Sequence, residues 1–312
     1  MRFSASLCLL GSAAIVSCTP APPASGPEAT ASPQTGSAAI AALETRLRTL
    51  LPAHDSLEVS IALFDLESGD SLLIDAHTVM HAASTMKVPV MLELFRRVDA
   101  GEITLDQPVP VVSDFRSIAD GSTYTLTADI DSDREIYDHL GQERPLLDLM
   151  ERMIVRSSNL ATNILIALAD PERIAGTLRE AGARGVTVLR GVEDGPAFSR
   201  GMNNTTTAYG MMKVMQAVAA GRLVSPASAE EMIRILEAQE FQETIPAGLP
   251  PGVRVGNKTG WITGINHDAA IVMPAGRAPY ALVVLTRGYH DRTAAQALGQ
   301  AVSREVYRAL VP

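Results

Sequence analysis

Strand-like and helix-like stretches are sorted along this chain rather than mixed, and that order limits the folds open to it. Residues 57–64 (Leu57-Glu58-Val59-Ser60-Ile61-Ala62-Leu63-Phe64) and 71–74 read as two strands joined through the turn Ser68-Gly69-Asp70. Three more short apolar stretches, 253–259, 268–273 and 280–286, lie near the C-terminus and are separated by Gly or Pro. Between the two groups, helical spacing of apolar residues recurs over 146–155, 159–168, 171–181, 206–219 and 227–238. Residues 84–98 also read as a helix despite Pro89. Amphipathic helices stand at both ends, 38–51 (Ile40, Leu43, Leu47, Leu50) and 293–310. The simplest assembly is an α/β two-lobe fold. One antiparallel sheet is drawn from both chain ends and covered by the terminal helices. The middle, about 84–240, forms an all-helical lobe, and a ligand cleft lies between the lobes.

With 312 residues, 46% apolar and 20% charged, the chain is long enough to bury such a core. Its net charge of −9 comes without any basic cluster, which argues against a nucleic-acid partner. The only cysteines are Cys8 and Cys18. The rest of the chain can therefore form no disulfide, no thiolate metal site and no cysteine nucleophile. No metal or organic cofactor is indicated. Nothing calls for an oligomer, and a monomer is expected.

The first 17 residues read as a secretory leader, with Arg2 followed by Leu7, Leu9, Leu10, Ala13, Ala14, Ile15 and Val16. The apolar run is too short to span a bilayer as a stable helix. It ends Ile15-Val16-Ser17-Cys18, which resembles the lipobox of bacterial lipoproteins. That resemblance implies cleavage before Cys18 and lipidation of its sulfur. Thr19 rather than Asp after the cysteine implies the outer membrane in a Gram-negative cell. An ordinary signal peptide cut elsewhere is the alternative. Residues 18–37 carry five prolines and a single charge, Glu28, and are expected to be an extended tether. The folded domain is placed at 38–312.

Three short motifs carry chemistry. Ser84-Thr85-Met86-Lys87 opens the 84–98 helix. Residues i and i+3 share a helix face, so the hydroxyl and the amine can meet. Backbone N–H groups at a helix start can stabilise an oxyanion. Only three of the 26 strong bases are lysines, Lys87, Lys213 and Lys258. Lys can lose its proton when desolvated, whereas Arg cannot, which is a physical reason for a lysine at 87. Ser157-Ser158-Asn159 opens the next helix. There the first hydroxyl can relay a proton, and Asn159 can bind a substrate amide and hold the lysine. Lys258-Thr259-Gly260 lies in a late strand, offering a fixed charge, a hydroxyl donor and a strand edge free of a side chain. Taken singly, each has a plainer reading: a helix cap, a second cap, and a strand with a bulge glycine.

Together, in the order S-x-x-K, S-x-N, K-T-G, the motifs are the signature set of class A β-lactamases and penicillin-binding proteins. The chain resembles class A β-lactamases and related serine hydrolases from about residue 40 to the end. The resemblance implies that Ser84 is the acylated nucleophile, Lys87 its base or proton relay, and Ser157 the relay to the leaving nitrogen. Lys258 and Thr259 would hold a substrate carboxylate, and the N–H groups of Ser84 and Trp261 would form the oxyanion hole. Within Leu189-Arg190-Gly191-Val192-Glu193-Asp194-Gly195-Pro196, Glu193 falls where the family carries its deacylating glutamate.

Three departures stand out. Ala197 takes the place of an Asn that holds water in the family, leaving Asp194 or another group to substitute. Residues of about 113–144 contain an acidic insertion. A ribbon count puts His267 where an Arg often supports the carboxylate, with Arg287 and Arg292 as replacements. Trp261, the only tryptophan, is either a wall of the substrate site or a packed aromatic. The expected partner is a small-molecule acyl substrate, a β-lactam or a cell-wall peptide. The alternatives are a cell-wall peptidase or esterase of the same fold, or a penicillin-binding or sensor module that stays acylated.

Overall fold

The computed structural model describes residues 35–52 and 56–311. The leader, Cys18 and most of the tether lie outside the described residues. Helix α1 (Thr35–Leu50) starts a little ahead of the expected Ala38. Strands β1 (Glu58–Asp65), β2 (Ser71–Ile74) and the short β3 (Met80–His81) follow. A 3-10 turn, Ala83–Met86, runs directly into α2 (Lys87–Asp99). The insertion of about 113–144 forms one small ribbon and is closed at its base by a second. The base pairs β4 (Pro108–Pro110) with β7 (Glu143–Pro145), and the ribbon within it pairs β5 (Asp114–Arg116) with β6 (Thr123–Thr125). The helical stretch then comprises α3 (Leu146–Val155), α4 (Asn159–Ala169), α5 (Pro171–Ala181) and the short α6 (Gly195–Ser199). After β8 (Thr205–Thr206) come α7 (Ala208–Ala219) and α8 (Pro226–Glu237). Strands β9 (Arg254–Ile262), β10 (Ile265–Met273) and β11 (Tyr280–Arg287) return, and α9 (Arg292–Leu310) closes the chain.

The sheet is antiparallel in the order β2-β1-β11-β10-β9, so both ends of the chain do build it. Its register sets Ile61 opposite Val284 and Ile74, and Ala269 opposite Val283 and Lys258. Side chains alternate between its two faces. Ile61, Leu63, Ile74, Val272, Leu282 and Val284 join Leu43 and Leu47 of α1 and Val302 and Val306 of α9 in one core. Ala62, Ala269, Ile271, Ala281, Val283 and Leu285 face the other way and merge with the helical core, including Met211 and Met215 of α7. With both faces covered, β1, β10 and β11 are buried almost from end to end, including the polar Asn266, His267 and Asp268 of β10. Helix α2 is buried from Lys87 to Phe95 without a break. Burial on all sides, Lys87 and Glu93 included, sets these first turns in the middle of the core and fixes them rigidly. No described helix is long and apolar enough to cross a membrane.

Candidate active site

The motif residues converge on one cavity of about 620 Å³ whose walls include Ser84, Ser157, Asn159, Glu193 and Trp261. Ser84 is half-buried in the 3-10 turn. Its predecessor, Ala83, sits at φ 45°, in the left-handed region that L-residues avoid. Ser157 (φ 58°) and Glu193 (φ 60°) share that conformation. Three of the described non-glycine residues forced into it thus border one site, the pattern expected where the surrounding fold over-determines a functional geometry.

Lys87 is fully buried. Its Nζ reaches the Ser157 carbonyl at 2.6 Å, Asn159 Oδ1 at 3.1 Å, Ser157 Oγ at 3.2 Å and the Ser158 carbonyl at 3.4 Å. The shared helix face of Ser84 and Lys87 thus delivers the amine mainly to the Ser157–Asn159 turn. Desolvation lowers the Lys87 pKa to about 7, against an opposing pull upward from Asp131. Near neutral pH a large share of the amine is therefore unprotonated and basic. The cap of α4 is Ser158, whose side chain accepts from Ala161 N at 3.2 Å. Ser157 is left free of capping, as the proton-relay reading requires.

Lys258, on β9, is fully buried behind the lining residues rather than among them, and donates to the Thr259 carbonyl at 3.0 Å. Burial first, and then the charge of Lys87, push its pKa well down, with Asp268 pulling the other way. A carboxylate brought beside it would favour the charged amine again. Thr259 Oγ1 is buried without a hydrogen-bond partner, a donor held ready for something the fold itself does not supply. An ideal Cβ on Gly260 would lie 2.8 Å from Ser84 N and 2.9 Å from Thr85 N. The glycine is thus demanded first by the chain's own packing, since β9 runs its backbone against the nucleophile turn. Trp261 is both wall and packed ring. It lines the cavity while Phe241 meets it edge-on at 4.8 Å and the Arg292 guanidinium lies 4.1 Å above it.

His267 is no ligand. It is fully buried on β10, its Nδ1 accepts from Thr286 N at 3.2 Å, and its Nε2 donates to the His81 carbonyl at 3.0 Å. Desolvation lowers its pKa to about 4, so it is neutral. Arg287 is engaged by Glu58 through both carboxylate oxygens. Neither suggested arginine replacement lines the cavity; Arg292 lies over the ring of Trp261, which does.

Glu193 stands on the cavity wall, exposed, with no hydrogen bond to a described residue. Its loop is firmly held. Asn163 accepts from Val192 N at 2.6 Å and donates to the Val192 carbonyl at 3.0 Å. Asn204 accepts from Leu189 N at 2.7 Å and Arg190 N at 3.0 Å, and donates to the Arg190 carbonyl at 2.9 Å. Arg190 ties the loop to Met202 and Asn203. Asp194 does not replace the missing Asn. It caps α6 through Ala197 N at 3.1 Å and accepts from Ser117 Oγ at 2.6 Å and Ile118 N at 3.0 Å.

Sequence reasoning missed His81, whose ring lines the cavity with Nδ1 accepting from Ala83 N at 3.0 Å. That bond leaves the proton of the neutral ring on Nε2. Burial, then Arg190, lower its pKa and keep it neutral. No motif or spacing marks such a residue. Among the described residues, no group of three or more His, Asp or Glu is placed to hold a metal ion.

A buried near-neutral lysine beside a serine on a strained turn defines a serine acyl-transfer enzyme of two-lobe fold. The chain belongs to the β-lactamase enzyme family, whose profile matches residues 42–310. It is 25% identical over 232 residues to β-lactamase CTX-M-8 of Citrobacter amalonaticus, covering 72% of this chain and 74% of that one. It is 24% identical over 255 residues to a β-lactamase of Streptomyces albus G, covering 80% and 79%. Among solved structures it resembles PBP-A, with a TM-score of 0.73 at 25% identity over 86% of this chain and 96% of that one. A β-lactamase from Sphaerobacter thermophilus DSM 20745 matches with a TM-score of 0.72 at 25% identity, over 88% and 98%.

Proposed function

We propose that this serine hydrolase opens the β-lactam amide in two acyl-transfer steps through Ser84. Neutral Lys87 takes the Ser84 proton as Oγ attacks the carbonyl carbon. The oxyanion is met by the N–H groups of Ser84 and Trp261. The proton passes through Ser157 to the ring nitrogen, the C–N bond breaks, and the acyl group is left on Ser84 as an ester. Water, losing its proton to Glu193, then attacks that ester, and Oγ takes a proton back as the acid leaves. Lys258 and Thr259 bind the substrate carboxylate, Asn159 the substrate amide, and Gly260 leaves the strand edge open. The single observation that carries this reading is the seat of Lys87: buried, near-neutral and bonded to both Ser157 and Asn159. One acyl-enzyme among the solved relatives, a PBP-A variant with penicillin G, is formed by a chain of the same fold.

The test is to incubate the domain with a chromogenic cephalosporin and a fluorescent penicillin. Turnover that disappears in Ser84→Ala is expected. Glu193→Gln is expected to accumulate labelled acyl-enzyme, and deacylation unchanged in that variant removes Glu193 from the mechanism. A lasting label on the wild type without turnover rejects hydrolysis in favour of a held acyl state.

We also infer that the protein is exported and lipid-anchored through Cys18, with its domain tethered by residues 18–37 and facing the periplasm, at the outer membrane in a Gram-negative cell. The motif Ile15-Val16-Ser17-Cys18 and the proline-rich stretch after it support this. Release of the protein to the soluble fraction by Cys18→Ser checks it.

A further inference from the structure

The acidic insertion reaches the catalytic machinery from behind. Asp131 is buried, and its carboxylate accepts from Asn159 N at 3.0 and 3.1 Å and from Leu160 N at 2.8 Å, the first free donors of α4. It also accepts from Asp133 N at 3.0 Å and Tyr137 Oη at 3.1 Å. Ser132, the next residue, donates to the Arg156 carbonyl at 2.6 Å and to the Ser157 carbonyl at 3.0 Å. That second carbonyl is the one Lys87 binds. Asp133 and Glu135 then pair with Arg152 and Arg156 on the far side. The segment therefore buckles onto the Ser157–Asn159 turn through the Arg156 and Ser157 carbonyls and the Asn159 and Leu160 N–H groups. Ser158 stands at the middle of the turn and is occupied as the cap of its own helix. The only carboxylate bonded to the turn's backbone among the described residues comes from Asp131, some 28 residues away in sequence.

We propose that Asp131, assisted by Ser132, is a positioning residue of the acylation step: it holds the left-handed Ser157 and thereby the seat of Lys87, and its charge tunes that amine. The insertion is thus part of the proton-transfer apparatus rather than only a lip of the substrate cleft. The charged groups bearing on Lys87 are Asp131 from the insertion and Lys258 from β9. Around Asp131 stand Asp129, Asp133 and Tyr137, with Asp133 neutralised by its two arginines. Replacing Asp131 by Asn puts an amide donor against two backbone donors and removes the negative charge. The turn loosens, and Lys87 becomes easier to deprotonate.

The proposal rests on Ser84 being acylated, so two independent readouts are used on the full domain. The first is the second-order rate of labelling by a fluorescent penicillin between pH 5 and 9. Asp131→Asn is expected to slow it at least 10-fold at its plateau and to move the acidic limb to lower pH. Asp131→Glu, keeping the charge, should leave the limb where it is. Ser132→Ala should slow labelling several-fold without moving the limb, and it serves if Asp131→Asn does not fold. The exposed neighbour Asp129→Asn should change neither. The second readout is amide hydrogen exchange at Asn159 and Leu160, which needs no substrate. At least 10-fold faster exchange in Asp131→Asn is expected, or in Ser132→Ala at Asn159 if that variant alone folds. A wild type that is never labelled counts against Ser84 acylation. Exchange unchanged at both amides overturns the positioning role, whatever the activity. Faster exchange with labelling rate and limb both unchanged also overturns it, because the clamp would then be structural only.

Discussion

The Nζ of Lys87 donates to the Ser157 carbonyl at 2.6 Å, and Ser157 presents that carbonyl from a backbone held at φ 58°. Because the same turn also presents Ser157 Oγ at 3.2 Å, one strained residue gives the lysine both an anchor and a proton-relay partner. The amine is thereby held where desolvation acts on it fully.

The pH dependence of acylation follows. With the Lys87 pKa near 7, the reactive form is the neutral amine, so the acylation rate should rise as pH increases through about 7 and level off above it. Single-turnover labelling across that range measures it. Lys87→Arg should lower the rate by about 10³-fold at every pH, since a guanidinium does not release its proton. A profile flat from pH 5 to 9 would remove Lys87 as the base.

Gly260 tests how tightly β9 is pressed against the nucleophile. Gly260→Ala places a Cβ 2.8 Å from Ser84 N and 2.9 Å from Thr85 N, both backbone atoms that cannot swing aside. The strand or the turn must shift, costing about 1–3 kcal/mol of stability. A displacement of that kind at the oxyanion donors should lower acylation by about 10²-fold. Denaturant melts and labelling rates check the two effects separately.

Thr259 should show a trade between stability and binding. Its Oγ1 is buried and unpartnered in the free protein, so Thr259→Val removes an unsatisfied group. Stability is expected to stay level or rise by about 1 kcal/mol. KM for a carboxylate-bearing substrate should rise, while an ester substrate without that carboxylate should be handled as before. Equal effects on both substrates would show that Thr259 does not read the carboxylate.

Two buried neighbours on β10 should pull stability in opposite directions with pH. His267, lowered to about 4 from 6.5, is neutral in the fold. The unfolded chain therefore binds more protons across that window, and the stability is whole above pH 6.5 and lost as pH falls toward 4. Asp268, raised by burial to about 6 from 3.8, binds more protons in the fold, so it adds stability as pH falls through about 6. Each contribution is on the order of 3 kcal/mol at about 1.4 kcal/mol per pKa unit. Asp268→Asn removes the second alone. Its deficit relative to wild type should widen as urea melts are taken from pH 6.5 down to 4.5, and a narrowing gap would contradict the assignment.

The apolar rim offers a last check. Ile130 of the insertion, Phe198 of α6 and Ile262 of β9 are large, exposed and line the same cavity. Phe198→Ala should leave the melting midpoint within the change expected of a surface site, about 0.5 kcal/mol. It should raise KM for substrates with a bulky apolar acyl arm more than for those with a small one.

What the amino-acid order determines by itself is what neighbouring residues decide among themselves. The short apolar stretches of β1 and β2 with the turn between them, the helical spacing from Leu146 to Glu237, and the caps and prolines that bound those helices are local properties, so the elements and their sorting into sheet and lobe were legible. The motif residues were legible too, because Ser84, Lys87, Ser157 and Lys258 belong to short patterns. Only the tertiary structure decides what those residues can do. The basicity of Lys87 comes from its complete burial and from Asp131, which reaches it through the folded insertion. The need for glycine at 260 comes from a turn more than 170 residues away. His267, which the ribbon count set where a ligand often stands, turns into the core to bind the His81 carbonyl. Even Lys213, the one lysine outside the motifs, is half-buried, bonded to Gln216 at 2.7 Å and set 5.9 Å over the Phe64 ring. Desolvation, charge and steric approach depend on distance through space, and residues far apart along the chain acquire those distances only when it folds.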